Sequence, residues 1–483
     1  MGIIFLFILA SLLGLTVDTG GSDSEPETNS GDDTLPPETG DQIFWDGTPD
    51  ADTYSHDGTG IIRGLGGNDT LEVGGYSRAE GGAGDDTITV NDISKGYGGQ
   101  GEDSMIVRNA GIGHGDSGDD YINAYNQSTA YGGAGSDTMY ANRYAEITGG
   151  SGDDTMAVTN FAKAGGGTGN DVITTRDDAR GWGGEGDDTM NAFGDSSVVA
   201  GSGDDVLNGH GHAFLRGEKG DDTLVLRGES EGHAELGNDD LTAYEKAQAY
   251  GGIGRDEIEA HDQATAYGGA QDDTITGDTD TLLDGNSGDD VIYGHDRATM
   301  VGGTGKDTLY FGRTLDVSKT DGVLDDVPAG SAEMMDMTAT GGEGADTFYM
   351  TPELFFPDVN LVDGALPDAG SAAEADYLAT AFPTTDDVGS VTDFDPAEDT
   401  LVVEVPYNTD YSFDGVTTTP VAGATAVDVH ITMKHDTDPT LPDLVRTIRL
   451  EGLTSFDTAD VVLVAQMPPP PVVAPPLPPV AVA

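Results

Sequence analysis

Residues 64–80 read GLGGNDTLEVGGYSRAE and residues 81–97 read GGAGDDTITVNDISKGY. The two stretches superimpose as GGxGxDx with an apolar residue following, and the same frame returns at Gly98, Gly115 and onward to Gly302. The step is 17 residues each time, through fifteen copies without insertion. A further copy, GGEGADTFYM, begins at Gly341 after a break. A fixed period without drift makes each copy one coil of a stack that contacts only its neighbours.

Numbering each copy from 1 to 17, position 8 is always a large aliphatic, from Leu71, Ile88 and Met105 to Ile292 and Leu309. Positions 7 and 9 are mostly polar and position 10 is apolar or small, which is the period-two alternation of a short strand with 8 and 10 facing inward. Position 14 is small in every uninterrupted copy, from Ser77 and Ser94 to Ala298, and position 16 is mostly apolar or Gly. That is a second strand whose inner face is built of small side chains. Large residues on one sheet opposite small ones on the other predict a thin core between two sheets. Positions 1–6 are Gly-rich and suit a tight turn with positive φ. Position 12 is mostly Asn, Asp or Gly and marks the other turn. Parallel stacking at about 4.8 Å per coil predicts a rod on the order of 70 Å long. The fold class is therefore all-β, a parallel β-roll or β-helix solenoid of 17-residue coils.

Position 6 is Asp in every copy: Asp69, Asp86, Asp103, Asp120, Asp137, Asp154, Asp171, Asp188, Asp205, Asp222, Asp239, Asp256, Asp273, Asp290, Asp307 and, after the break, Asp346. Stacking places these carboxylates in one row along one edge, about a strand spacing apart, where neighbours repel by about 1 kcal/mol in water and more when desolvated. If Asp served only to make turn hydrogen bonds, Asn would do equally well. Position 6 never takes Asn, whereas position 5 takes Asn, Asp, Glu, Ser, Arg and Lys. Selection for the charge points to metal ligation by these sixteen residues. Carboxylates and Gly-turn carbonyls are oxygen-only donors, which select a hard cation, Ca²⁺ in preference to Mg²⁺.

Composition agrees. The chain has 483 residues with 88 Asp+Glu against 20 Lys+Arg, a formal net charge of −68, 36% hydrophobic residues and no cysteine. Low hydrophobicity with such a charge is the signature of disorder unless something offsets the repulsion. Fourteen gaps between fifteen turns, each with one divalent ion, would bring −68 to about −40. The charge argues against nucleic acid and against anionic membrane surfaces. The missing cysteines exclude disulfides, thiolate metal sites and thiol catalysis.

GGxGxDxUx resembles the repeat of the RTX (repeats-in-toxin, hemolysin-type) calcium-binding proteins. The resemblance covers about 64–311 and 341–350 and implies a parallel β-roll in which multiple Ca²⁺ ions bridge successive Gly-Asp turns through the Asp carboxylate and turn carbonyls. The family repeat is nine residues, with two calcium turns per coil. Here only half of each coil carries GGxGxD, and the other turn, for example His261-Asp262-Gln263, lacks the glycines. Calcium is therefore expected on one edge only. VTDFDPAEDTL (391–401) is similar to the segment after the last roll in secreted members, and TIRLEGLTSFDTADVVLV (447–464) to the strand pair that ends them. They imply a C-terminal β cap over the open end.

The expected organisation is an apolar export signal or anchor (1–20, with the apolar run at Ile3–Val17), an acidic linker (21–60), the calcium-binding β-roll (61–316), a loop insertion (317–340), the last repeat and β cap (341–465) and a proline-rich tail (466–483). The expected function is that of a secreted or surface-exposed calcium-binding structural or interaction protein, not an enzyme, whose roll folds on Ca²⁺. Its partners are calcium ions and an extracellular or cell-surface partner, with membrane contact only through residues 3–17. Two alternatives are an RTX-type toxin or hydrolase with its site in 312–465, and an ice-binding solenoid using position-7 threonines. Positions 7 and 9 are both Thr only at Thr87/Thr89 and Thr274/Thr276, too irregular for an ice-matching plane. Gly228-Glu229-Ser230-Glu231-Gly232 matches a nucleophile elbow, but Ser230 falls in the inward column of position 14. His210, His261 and His295 share position 11, too far apart for one metal, and are read as solvated turn residues.

Overall fold

The computed structural model describes residues 43–295, 297–312, 337–350, 385–405, 411–435 and 443–465. The apolar N-terminal run, most of the expected linker, most of the 317–340 insertion and the proline-rich tail lie outside the described residues. Among the described residues, no helix is long and apolar enough to cross a membrane.

Each copy folds as two strands and two turns, and the copies stack in parallel with strand residues of the uninterrupted copies paired to those 17 further on. One sheet uses positions 7–10 or 7–11: Leu71 pairs with Ile88, Ile88 with Met105 and Ile122 with Met139. It runs as an open ladder from Thr53–Gly58 to Val461–Ala465. The other sheet uses positions 15–3, for example Arg78–Ala83 and Lys95–Gln100. The paired glycines thus belong partly to this strand rather than wholly to the turn, and position 1 faces inward beside position 16. Backbone at the turn is left-handed at positions 2 and 4 in most coils, Gly237 and Gly254 being exceptions at position 4. A Cβ on Gly186 (φ 126°) would run into the Gly169 carbonyl of the preceding coil, so position 4 is small because coils approach there backbone to backbone. Position 12 is left-handed as expected. Five successive coils, from Asn109/Ala110 to Asp177/Asp178, add a left-handed residue at position 13.

The solenoid begins one coil before the first plain repeat. Strands Ile43–Asp46 and Thr53–Gly58 occupy the end of the stretch expected as linker. Gly47 and Asp52 fall in frame at positions 1 and 6, and half-buried Tyr54 at position 8 stacks on Trp45 at 4.5 Å. At the far end the chain resumes in register after residues 313–336: Met337–Gly344 pairs with Thr299–Gly305, and Thr347–Met350 with Thr308–Gly312. Leu444–Glu451 then turns the sheet antiparallel, pairing with Ala426–His435, which pairs with Tyr411–Pro420. Phe394 and Phe456 meet edge to face at 5.7 Å, and Phe394 lies 5.7 Å from Phe348 of the last repeat. The stack therefore ends on packed aromatic rings.

The core is one column of fully buried side chains. Position 8 is 0–1% exposed from Leu71 to Leu309. Position 14 is small throughout, but positions 10 and 16 of one coil trade volume with each other. Where position 10 is Gly209, Gly277 or Gly294, position 16 is Leu215, Leu283 or Met300, and a Cβ on the glycine would strike that side chain. Where position 10 is Val90, Val107 or Leu226, position 16 is Gly96, Gly113 or Gly232. In these six coils the two positions share one space, so a large side chain at one requires glycine at the other. Gly209→Leu is accordingly expected to cost roughly 1–3 kcal/mol. Adding Leu215→Gly should restore most of it, as read by the midpoint of thermal denaturation in Ca²⁺ for the two single variants and the double. Independent, additive losses would show that the two positions do not share one space.

Candidate metal centre

The turn formed by positions 1–6 brings all sixteen predicted aspartates into one row, each 0–2% exposed. The row has a built-in hydrogen-bond direction. The backbone N–H of each Asp donates to Oδ1 of the Asp one coil further on, at 2.7–3.0 Å from Asp69 to Asp307. The turn hydrogen bond that Asn could also make is therefore present, but it uses one oxygen only. Oδ2 of every Asp from Asp69 to Asp307 is buried and has no hydrogen-bond partner. It lies against the Cα of its own coil's position-1 residue, next to the carbonyl of position 1 in the following coil. A Cβ on Gly64 would fall on Asp69 Oδ2 and lie 2.7 Å from the Gly81 carbonyl oxygen, and the pattern repeats at Gly98, Gly132 and Gly166. Ala200 and Ala234 occupy position 1 in two coils and put a methyl group there.

An Asn at position 6 would set an NH₂ donor near that carbonyl. The Asp sets an anion there, with nothing to neutralise it, and a buried unpaired charge is costly. The electrostatics register this. Burial raises Asp120, Asp154, Asp171, Asp205, Asp222, Asp239 and Asp307 to about 7, partly opposed by the N–H bond to Oδ1 and, except at Asp239, reinforced by the preceding carboxylate of the row. For Asp239 the reinforcing neighbour is Asp256. Asp273 is raised to about 8, and Asp86, Asp103, Asp188, Asp256 and Asp290 to about 6, again chiefly by burial. Asp137 and Asp346 shift upward for the same reason.

The row extends beyond the sixteen. Asp52 N–H donates to Asp69 Oδ1 at 2.7 Å, and Asp346 N–H to Asp399 Oδ1 at 3.1 Å. These two end members differ from the interior ones. Asp52 Oδ2 accepts from Thr48 Oγ1 at 2.9 Å, and Asp399 Oδ2 from the Asp395 N–H at 2.7 Å. Each end is thus closed by protein donors, while the interior oxygens are left open. Asp393 completes the cap, accepting from the N–H groups of Gly341 and Gly342 at 2.9 and 2.8 Å. Asp52 was readable from the frame GTPDAD at 47–52, and Asp399 from the AED within VTDFDPAEDTL, once coils replace copies as the unit counted.

A second row went unread. At position 5, Asn and Asp side chains accept from the position-5 N–H of the following coil at 2.8–3.1 Å, opposite in direction to the position-6 row. The bond is missing after Glu102, Ser136 and Arg255, which cannot place an acceptor there. Their irregular identities hid a preference for Asn and Asp elsewhere in the column.

Among the described residues, no group of three or more His, Asp or Glu side chains converges on one point, so a metal here needs main-chain oxygens as well. The donor set fits a hard cation: an orphaned buried carboxylate oxygen beside a backbone carbonyl, repeated coil after coil, with no nitrogen or sulfur. The orphaned carboxylates all lie on this edge; among the described residues none occurs at the opposite turn. Ser230 is 0% exposed and donates to the Arg227 carbonyl at 3.0 Å, as its inward column requires. The histidines of position 11 are not solvated turn residues. His210 stacks on Phe193 at 5.1 Å, His261 stacks on Tyr244 at 4.9 Å and pairs with Asp278 at 2.9 Å, and His295 Nδ1 lies 3.3 Å from the Gly277 carbonyl. Stacking along the ladder holds His210 and His261 against the aromatic ring of the preceding coil.

A parallel β-solenoid with one edge lined by buried, unneutralised oxygens is a cation-binding repeat protein in class. The family described as RTX calcium-binding nonapeptide repeat (4 copies) matches residues 77–92, 192–224, 265–282 and 276–296. Those stretches are RTX-type calcium-binding repeats, and they support the binding of multiple Ca²⁺ ions. No curated protein matches the chain. Among solved structures it is similar to a hyperactive, Ca²⁺-dependent, β-helical antifreeze protein from an Antarctic bacterium, at 19% identity and a TM-score of 0.34, over 52% of this chain and 83% of that one.

Proposed function

We propose that Ca²⁺ is the condition of folding for this solenoid, and that it works outside the cell, secreted or held at a surface, as a stiff structural or interaction element without catalysis. The ligands are the carboxylates from Asp69 to Asp346 with carbonyls of the neighbouring Gly turns. The single observation that carries the reading is the unbroken file of buried Oδ2 atoms lacking any donor. Without a cation each coil added to the stack buries one more carboxyl at a cost. With one, each added coil completes a site, and binding to the native state alone stabilises it. Extracellular calcium modules work with dissociation constants on the order of 10⁻⁴–10⁻³ M, so a chain of this kind would remain unfolded in a calcium-poor cytosol and fold after export. RTX repeat proteins are typically secreted, which supports the location.

The test is far-ultraviolet circular dichroism at about pH 7.5, paired with equilibrium dialysis against ⁴⁵Ca²⁺. Protein stripped with EGTA should give a coil spectrum, and millimolar Ca²⁺ should restore β signal cooperatively with many ions bound per chain. A stripped protein that keeps its β signal and takes up no calcium would sink the proposal.

A further inference from the structure

The outward faces of the two sheets differ in where they carry acid. On the sheet of positions 7–11, none of the residues at positions 7, 9 and 11 is Asp or Glu across nine consecutive coils, from Thr87 to Arg227. Glu72 and Asp240 bound the region on either side. The opposite sheet presents Asp116, Glu146 and Glu231 outward over the same length. In a chain of net charge −68 this gap sets one face apart from its surroundings.

Within it lies an open trough of about 290 Å³ lined by Tyr121, Asn123, Tyr125, Tyr140, Asn142 and Thr159. It exists because position 9 falls from Tyr140 to Ala157 in the next coil, leaving the tyrosine to stand as a wall. Tyr121 and Tyr140 are 45% and 42% exposed, and their rings are 5.8 Å apart and tilted by 54°. The other tyrosine–tyrosine pairs along the rod stack, as Tyr250 on Tyr267 at 4.7 Å and 7°, so that each covers its neighbour's face. At the trough the ring faces stay open.

The geometry points to this trough as a binding site for an uncharged polysaccharide. Tyrosine faces pack against the C–H faces of sugar rings, while the Asn123 and Asn142 amides and the Thr159 hydroxyl offer donors and acceptors to sugar hydroxyls. Rungs repeat every 4.8 Å or so, close to the length of one pyranose unit, so a chain laid along the rod keeps step with the coils. The charge distribution narrows the partner. A polyanion would meet Arg108, Arg176 and Arg227 on this face but also the net negative charge of the rest, about −40 with calcium bound, and a second copy would bring the same charge alongside. A neutral polymer meets neither penalty, and the acid-free face spares it the hydrated carboxylates found elsewhere.

The experiment uses the full chain in millimolar Ca²⁺ on an array of neutral β-linked gluco- and chito-oligosaccharides together with polyuronate oligosaccharides. Affinity for a neutral member should fall by at least about tenfold in Tyr121→Ala and in Tyr140→Ala. Tyr250→Ala, on the other sheet, should bind like the parent. Circular dichroism and the calcium midpoint should be unchanged in all three, which separates failure here from failure of calcium-dependent folding. The inference is overturned if folded, calcium-loaded protein binds no neutral member, if it binds polyuronates alone, if the two tyrosine variants bind as well as the parent, or if sedimentation shows a dimer that Tyr140→Ala dissolves.

Discussion

Calcium-free protein is expected to hold its β signal at about pH 4 and to lose it as the pH rises toward 8. An isolated Asp in the unfolded chain titrates near 3.9. In the folded, metal-free solenoid burial raises row members to about 6 (Asp86, Asp188), about 7 (Asp154, Asp222) and about 8 (Asp273). Between these limits the folded state holds protons that the unfolded state has released. Stability therefore falls with rising pH, by about 1.4 kcal/mol per pH unit for each such carboxyl, from about pH 4 until its folded value is passed. Below pH 4 both states are protonated and the penalty is absent. With so many groups acting together the loss should be steep, and Ca²⁺ should abolish it above pH 6, where the cation replaces the proton. The measurement is the circular dichroism melting temperature in EGTA and in calcium at half-unit pH steps. Calcium-free protein that grows more stable from pH 4 to 8 would show that the row is ionised and already neutralised by something else.

The second large effect is one of opposite signs. Asp188→Asn with Asp205→Asn should stabilise the calcium-free solenoid at about pH 7.5 while weakening calcium binding at those coils by at least about tenfold. Asp188 and Asp205 each keep an acceptor for the preceding N–H, now 2.7 Å from Oδ1, because Asn retains a carbonyl. The new NH₂ replaces an orphaned anion and faces the position-1 carbonyl of the next coil. A substitution that only damaged the turn would lower stability in both conditions. Chelated and calcium-saturated denaturation curves of the double variant distinguish the two outcomes.

Much of the architecture was legible because one rule repeats. A 17-residue period, an aliphatic at position 8 and a small residue at position 14 can be satisfied together only by parallel stacking, and the registers Leu71–Ile88 and Ile88–Met105 follow from the period alone. The Asp row was legible for the same reason: identical positions in identical coils must align. The features that escaped reading break the copy as a unit. Asp52 sits in a coil whose glycines are mostly replaced, and Asp399 in a segment that arrives from outside the repeat yet takes its place in the row. The exchange of volume between Gly209 and Leu215 crosses from one column to another, and counting down columns hides it.

Composition and period alone determined the parallel roll, its Gly-Asp edge and the demand for a cation, because each is a sum over identical coils and needs no knowledge of how one coil differs from the next. Only the tertiary structure decided which carboxylate oxygen is spent on a backbone N–H and which is left open, that the two ends of the row are closed by Thr48 and Asp395, and that Tyr121 and Tyr140 splay where the other tyrosine pairs stack. These depend on the direction of a side chain relative to its neighbour in the next coil. Register alone does not fix that direction; it follows from the space that particular neighbour, Ala157 beside Tyr140 or Gly81 beyond Asp69, leaves open.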